Sequence, residues 1–133
     1  MTVGLVIVSH SAKVAEGTAE LAGQMAPGVR IEAAGGAADG AIGTDASRIA
    51  EAIEAADGGD GVLVLVDLGS AVLSTRLAIE ELLGDEVRGR TVIAEAPVVE
   101  GAVIGAVEAS TGAPLAQVAE AAAGAALMPK ARD

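Results

Sequence analysis

Four short apolar stretches along the chain have the composition of β-strands. Residues 2–9, 29–34, 62–66 and 91–94 are rich in aliphatic side chains, and a glycine, a histidine or a carboxylate follows each of them. Residues 62–66 contain no polar side chain, which is typical of a strand covered on both faces, so we expect this strand in the centre of a sheet. Residues 29–34 alternate between apolar and polar side chains, which favours the edge of the sheet.

The stretches between and after these strands have the hydrophobic period of helices. Apolar residues recur at helical spacing over residues 11–25. Thr44 is a suitable N-cap for a second helix, with Asp45 in its first turn. A fourth helix ends at Gly112, and Pro114 opens a fifth.

The third helix is predicted over residues 70–83. We expect its leucines to face inward and Gly84 to end it; these leucines are Leu73, Leu77 and Leu82.

The alternation of strands and helices predicts the α/β class, as a single-domain open parallel sheet of four strands with helices on both faces. Fold priors favour the strand order 2-1-3-4. In that order the winding reverses between the first and third strands, so the residues that follow them, His10 and Asp67, face each other across the switch point. We assign residues 1–128 to the domain and expect a frayed C-terminal tail over residues 129–133.

The composition argues against several classes of function. The 133 residues include no aromatic side chain and no cysteine, so the chain offers no platform for stacking bases or sugars and no thiol chemistry. The formal net charge of −11 argues against a nucleic-acid partner, because clustered basic side chains are needed to neutralise phosphates. We see no targeting signal and no bilayer-spanning stretch, so we expect a cytoplasmic protein with no membrane partner.

His10 is the only histidine of the chain, and its place at a strand end makes it the leading candidate for chemistry. Beside Asp67, the imidazole suits a general base, or the ring nitrogen not bonded to Asp67 suits a nucleophile that accepts a phosphoryl group. One histidine and one aspartate are too few for a catalytic zinc site, so we expect no metal. A hydrogen-bonded histidine with a purely structural role is the remaining interpretation.

A phosphorylated histidine also needs amide donors, and residues 9–11 and 67–70 both precede helix N-termini that supply them. The glycine-rich residues 35–43 lack Walker spacing and contain no lysine, so we interpret them as a flexible connection rather than a phosphate cradle. ATP is therefore not expected as a direct donor, and a protein donor fits better.

Four blocks of sequence resemble a known family. Residues 5–11, 42–45, 66–71 and 96–101 are similar, in the same order, to the phosphotransfer subunit of the dihydroxyacetone kinase that draws on the phosphoenolpyruvate phosphotransferase system (PTS). The IIA domain of that subunit is of the mannose type. The resemblance covers nearly the whole chain, to about residue 128.

The resemblance implies that His10 accepts a phosphoryl group from the phosphocarrier HPr and passes it to ADP on the nucleotide-binding kinase subunit, while another subunit binds dihydroxyacetone. It implies that Asp67 orients the histidine and that Gly69 and Ser70 line the phosphoryl site. We expect Ser11, which precedes the first helix, to line that site as well. It also implies a homodimer, and no cofactor is expected. Some members carry a fused HPr-like domain; none is visible here, so we expect free HPr to be the donor.

Two other functions stay open. One is a mannose-type IIA domain of a sugar-transporting system, which passes phosphate to a IIB partner; residues 67–71 and 96–101 favour the kinase type. The other is a regulatory binding module whose histidine is never phosphorylated. Apart from the resemblance, a homodimer is favoured because the apolar faces exceed what one sheet covers; these faces carry Leu73 and Leu77, or Val99 and Val103.

Overall fold

Four parallel strands form one sheet between two layers of helices, in a computed structural model that describes residues 2–131. The strands are β1 (Gly4–Ser9), β2 (Ile31–Gly35), β3 (Val62–Val66) and β4 (Thr91–Ile93), in the order β2-β1-β3-β4. The predicted α/β class and the strand order 2-1-3-4 are confirmed. β2 lies at an edge and β3 lies inside the sheet, as their patterns of polar residues predict.

The helices occupy the connections between strands and the C-terminal part of the chain. They are α1 (Ala12–Met25), α2 (Ala46–Ala56), α3 (Gly69–Leu77), α4 (Asp85–Arg88), α5 (Val98–Ser110) and α6 (Leu115–Gly124). A π-helical turn (Ala78–Leu82) continues α3, and a 3-10 turn (Ala125–Leu127) follows α6.

β1 is buried along its whole length and separates two apolar layers. Its side chains alternate, so Leu5 and Ile7 pack against α1, α5 and α6, whereas Val6 and Val8 pack against α2 and α3. Small helical residues let the layers approach the sheet closely; a Cβ atom at Gly101 would lie only 3.2 Å from a methyl carbon of β3. An aliphatic core without aromatic rings is thus packed tightly enough to fix the end of β1.

The three leucines of the third helical segment face solvent, so the prediction that they face inward is wrong. Leu73, Leu77 and Leu82 are 66%, 51% and 46% exposed. The buried side of α3 carries Ala71 and Thr75, and the Thr75 hydroxyl donates to the Ala71 carbonyl at 2.7 Å. This bond satisfies the polar atom within the helix, and the small side chains allow a closer approach to the sheet than leucines would.

The third helix also differs from its prediction in length. Residues 70–83 do not form one regular helix, because α3 gives way to the π-helical turn (Ala78–Leu82). Gly84 ends this segment as predicted, and the short helix α4 begins directly after it.

Asp45 is the N-cap of α2 in place of Thr44. Its carboxylate accepts a hydrogen bond from the amide of Ser47 at 3.0 Å. The Thr44 hydroxyl lies 2.5 Å from the Ser74 hydroxyl of α3 instead, so it links the start of α2 to α3.

The frayed tail expected over residues 129–133 stays a prediction. Lys130 pairs with Glu100 of α5 at 2.5 Å, and residues 132–133 lie outside the described part of the chain. Within residues 2–131, no helix combines the length and the apolar character that a membrane crossing needs.

Candidate functional site

His10 and Asp67 meet at the carboxyl edge of the sheet. β1 and β3 are neighbours in register, with Val8 opposite Val66, so the residues that follow the two strands lie close together. The Nδ1 atom of His10 lies 3.0 Å from Oδ1 of Asp67, and both side chains are largely buried, at 20% and 17% exposure. The structure thus brings together the two residues that the sequence singles out.

Four donors surround the Asp67 carboxylate. Oδ1 faces the His10 ring and accepts from the amide of Leu68 at 2.7 Å. Oδ2 accepts from the amide of His10 at 3.0 Å and from the hydroxyl of Ser9 at 2.9 Å. Every donor therefore favours the ionised carboxylate.

The pKa of Asp67 is lowered from its ordinary value. Burial raises this pKa, but the hydrogen bonds from the His10 amide and ring, the Ser9 hydroxyl and the Leu68 amide together outweigh the burial. An ionised carboxylate only accepts hydrogen bonds, so the nitrogen of the ring that faces it must carry a proton. We therefore assign the neutral His10 ring a proton on Nδ1 and a lone pair on Nε2.

The Nε2 atom of His10 points away from Asp67 and is hydrogen-bonded to the hydroxyl of Ser70. With the lone pair on Nε2, the Ser70 hydroxyl is the donor. When Nε2 forms a bond to another atom, that hydroxyl becomes free to donate elsewhere.

The N-terminus of α3 opens beside the ring. Its N-cap is Leu68, which offers no side-chain hydrogen bond, so the first-turn amides at Gly69 and Ser70 are available to an anion. Of the two predicted lining residues in this turn, Ser70 contacts Nε2 through its hydroxyl, and Gly69 precedes it as the first residue of α3.

Ser11 occupies a different place from the other predicted lining residues. It is the N-cap of α1, and its hydroxyl accepts from the amide of Val14 at 3.3 Å. Its own amide donates to the Ser9 hydroxyl at 3.0 Å. The Ser11 side chain thus starts the helix rather than contacting the His10 ring.

Ser9 contacts Asp67 directly and is not among the residues predicted for the site. Its side chain is buried, and its hydroxyl bonds both Asp67 and the amide of Ser11. A signal was present, since a serine is the last residue of an otherwise apolar strand directly before the only histidine.

The glycine-rich loop over residues 36–43 is anchored to the same strand end. The amide of Gly36 donates to the Ser9 carbonyl at 3.1 Å, and the amide of Gly43 donates to the His10 carbonyl at 2.9 Å. The φ angle of Gly36 is +79°, which favours glycine. The loop is therefore hydrogen-bonded to the end of β1 near both of its own ends. The interpretation of residues 35–43 as a flexible connection stays a prediction. Within residues 2–131, no group of three or more carboxylate or imidazole side chains is placed to hold a metal ion.

A family model and several known proteins are similar to this chain over most of its length. The family model EIIA-man, described as PTS system fructose IIA component, matches residues 4–119. The phosphoryl donor subunit DhaM of PEP-dependent dihydroxyacetone kinase from Escherichia coli (strain K12) is 44% identical over 87% of this chain, and the chain spans 25% of that protein. The DhaM subunit of dihydroxyacetone kinase 2 from Listeria innocua is 40% identical over 80% of this chain and 85% of its own length.

Two solved structures share the fold. A crystal structure of a protein of unknown function has a TM-score of 0.81 and 35% identity, and covers 92% of this chain and 94% of its own. A sigma-54 interaction domain protein from Enterococcus faecalis has a TM-score of 0.66 and 17% identity, and covers 91% of this chain and 87% of its own. The second likeness concerns the fold alone.

Proposed function

This chain belongs to the EIIA-man family of PTS IIA components, and from this premise we propose that Nε2 of His10 carries a phosphoryl group from one protein to another. One observation carries the proposal. Asp67 binds Nδ1 at 3.0 Å, while Nε2 faces Ser70 and the uncapped N-terminus of α3. The nucleophilic nitrogen thus contacts the first turn of α3, whose amides would receive the phosphoryl oxygens.

In the accepting step, the lone pair of Nε2 forms a bond to phosphorus as the phosphorus–nitrogen bond of the donor's phosphohistidine breaks. The electron pair of the broken bond returns to the donor's ring. Positive charge develops on the His10 ring, and the Asp67 carboxylate at Nδ1 stabilises it. The amides at Gly69 and Ser70, with the freed Ser70 hydroxyl, donate to the phosphoryl oxygens.

In the donating step, an acceptor oxygen attacks the same phosphorus and the bond to Nε2 breaks. The electron pair returns to Nε2, and the ring regains its neutral form with the proton on Nδ1. After both steps the His10 ring is back in its original protonation state, so it can accept another phosphoryl group.

We infer that the donor is HPr and that the acceptor is ADP on the nucleotide-binding subunit of a dihydroxyacetone kinase, whose partner subunit binds dihydroxyacetone. The names of the relatives support this inference, since those proteins are phosphoryl donor subunits of PEP-dependent dihydroxyacetone kinases. The chain spans about a quarter of the relative from Escherichia coli (strain K12), whereas it spans most of the Listeria innocua subunit.

The test is the mass of the intact chain after incubation with phosphoenolpyruvate, enzyme I and HPr. We expect a gain of one phosphoryl group, in a linkage that acid hydrolyses and alkali does not, as for a phosphoramidate. His10→Ala should abolish the gain while the circular dichroism spectrum stays unchanged. Labelling that survives this substitution would overturn the proposal.

A second acceptor has one observation in its favour, the description of the matching family model as a fructose IIA component. Adding either ADP with the kinase subunits or a sugar-specific IIB domain to the phosphorylated chain separates the two. We expect loss of the phosphoryl group only with ADP and the kinase subunits.

A further inference from the structure

Ser9 is a buried hydroxyl between the end of β1 and the Asp67 carboxylate, with an exposure of 1%. Its Oγ accepts a hydrogen bond from the amide of Ser11 at 3.0 Å and lies 2.9 Å from Oδ2 of Asp67. Because an amide only donates and an ionised carboxylate only accepts, the hydroxyl proton must point to Asp67. The direction of this hydrogen bond is therefore fixed.

We propose that Ser9 is a positioning residue of the His10 site, whose hydroxyl holds the Asp67 carboxylate so that the proton of the His10 ring stays on Nδ1 and Nε2 remains free to react. The proposal rests on the proposed function of His10 for its effect on transfer. Its effect on the ring proton is independent of that function.

The four donors around Asp67 divide between its two carboxylate oxygens. Oδ1 faces the His10 ring and the Leu68 amide. The donors on Oδ2 hold the carboxylate in the orientation that keeps Oδ1 there. Oδ2 has two donors, the His10 amide and the Ser9 hydroxyl. Without the hydroxyl, Oδ2 keeps one donor, and the orientation that aims Oδ1 at Nδ1 is less restricted.

Ser9 itself is held firmly, which is what a positioning residue requires. It lies opposite Gly35 in the β1–β2 ladder, and its carbonyl accepts from the amide of Gly36 at 3.1 Å. Since its side chain is buried, it does not contact an incoming protein. Its loss should therefore slow the chemical step without weakening the binding of a partner.

The single histidine provides a direct measurement. Nitrogen-15 NMR of the ring in alkaline solution, where imidazole is neutral, reports which nitrogen carries the proton. For Ser9→Ala we expect a larger share of the tautomer with the proton on Nε2. We also expect phosphorylation of His10 by phosphoramidate, a small donor that needs no partner, to slow by about two- to tenfold, the range that one net hydrogen bond gives.

Further variants separate positioning from stability. Thr75→Val removes another buried hydroxyl, which bonds only the Ala71 carbonyl in α3, and should lower stability without changing the tautomer or the rate. Ser9→Thr keeps the hydroxyl and should retain both. If Ser9→Ala does not fold, Ser9→Cys, with its weaker donor, should show the same shift in the ring signals to a smaller extent.

The outcomes distinguish this proposal from the proposed function. If Ser9→Ala, or Ser9→Cys in its place, loses stability but keeps the ring signals and rate of the parent chain, Ser9 is only structural and the inference is wrong. If the parent chain itself is not phosphorylated by phosphoramidate or by HPr, the carrier function fails, while the ring signals still decide the role of Ser9.

Discussion

The His10 ring is held at both of its nitrogens, and the two contacts have different tasks. Asp67 binds the protonated Nδ1, whereas Ser70 donates to the nitrogen that would react. The lowered pKa of Asp67, in which hydrogen bonds outweigh burial, keeps this carboxylate ionised at neutral pH. At the scale of single residues, the site thus depends on the donor or acceptor character of each group.

Asp67→Asn tests this dependence, because an amide cannot accept on both sides. Its NH2 group must face donors either at Oδ1 or at Oδ2, so one pair of hydrogen bonds is lost together with the negative charge. We expect phosphorylation of His10 to slow by at least about tenfold, equivalent to about 1.4 kcal/mol of barrier. Quenched-flow labelling with phosphorylated HPr measures the rate of phosphoryl transfer to His10.

Asp57→Asn is the matched control for that measurement. Asp57 is an aspartate that bonds Arg90 and precedes β3, whereas His10 follows β1 at the opposite edge of the parallel sheet. This variant should therefore lose stability and keep the transfer rate. Equal rates for the two asparagine variants would mean that the Asp67 carboxylate is not part of the reaction.

At the scale of elements, the site depends on the close contact between the start of α1 and the end of β2. A Cβ atom at Gly35 would lie 2.6 Å from the Ser11 carbonyl oxygen and 2.8 Å from Cβ of Ala15. A side chain there would push α1 away from the sheet and move the turn that carries His10.

Gly35→Ala should therefore destabilise the chain by about 1–3 kcal/mol, the usual cost of overpacking, and slow phosphorylation of His10. Gly17→Ala is the control, since Gly17 lies within α1 and, apart from its chain neighbours and the helix's own backbone, no atom lies within 4 Å of its added Cβ. It should stabilise the helix by about 0.5–1 kcal/mol. Urea unfolding measures the free energy of unfolding of both variants. A Gly35→Ala chain as stable as its parent would refute the role of this contact.

A second contact joins the end of α2 to the segment before β4. Arg90 donates to both oxygens of Asp57, with Nη2 at 2.7 Å from Oδ2 and Nε at 3.0 Å from Oδ1. These hydrogen bonds lower the pKa of Asp57 more than burial raises it. The folded state thus binds this proton more weakly than the unfolded state, and the pair contributes stability above the usual aspartate pKa of about 3.9.

That contribution is lost as the pH falls through the lowered pKa. We expect Asp57→Asn to reduce the free energy of unfolding at neutral pH, and its difference from the parent chain to shrink in acid. Urea unfolding over a series of pH values measures the difference. Thr75→Val, which removes no ionisable group, should show a difference that does not vary with pH; the same constancy for Asp57→Asn would contradict the prediction.

At the scale of the whole molecule, the outward leucines of α3 leave an apolar surface without a cover. Leu73 and Leu77 are more than half exposed, and Val92 of the edge strand β4 is 41% exposed. The homodimer expected from the sequence remains a prediction, and this surface is where we expect the two copies to meet.

Sedimentation at micromolar concentration should show a species of twice 12.8 kDa. Leu77→Asp should shift it to the monomer, because a buried charge without a partner is costly at an interface. Leu21→Asp, on α1 in the opposite layer and 48% exposed, should leave the dimer intact. A parent chain that sediments only as a monomer would rule the dimer out.

The sequence by itself determined the fold class and singled out His10 and Asp67, whereas the strand order came from fold priors. Strands and helices differ in hydrophobic period, so their alternation is readable without a structure. His10 and Asp67 each follow an apolar strand, and parallel strands end at the same edge of a sheet. Their proximity therefore follows from topology.

Only the tertiary structure decided which side of each helix is buried and which groups surround the carboxylate. In α3 the leucines and the small residues recur at the same helical spacing, and close packing against the sheet selected Ala71 and Thr75. Ser9 and Ser11 are both serines beside the same histidine, yet one bonds Asp67 and the other caps α1. The direction of a side chain at a strand end depends on its hydrogen-bond partners in three dimensions, which no local pattern contains.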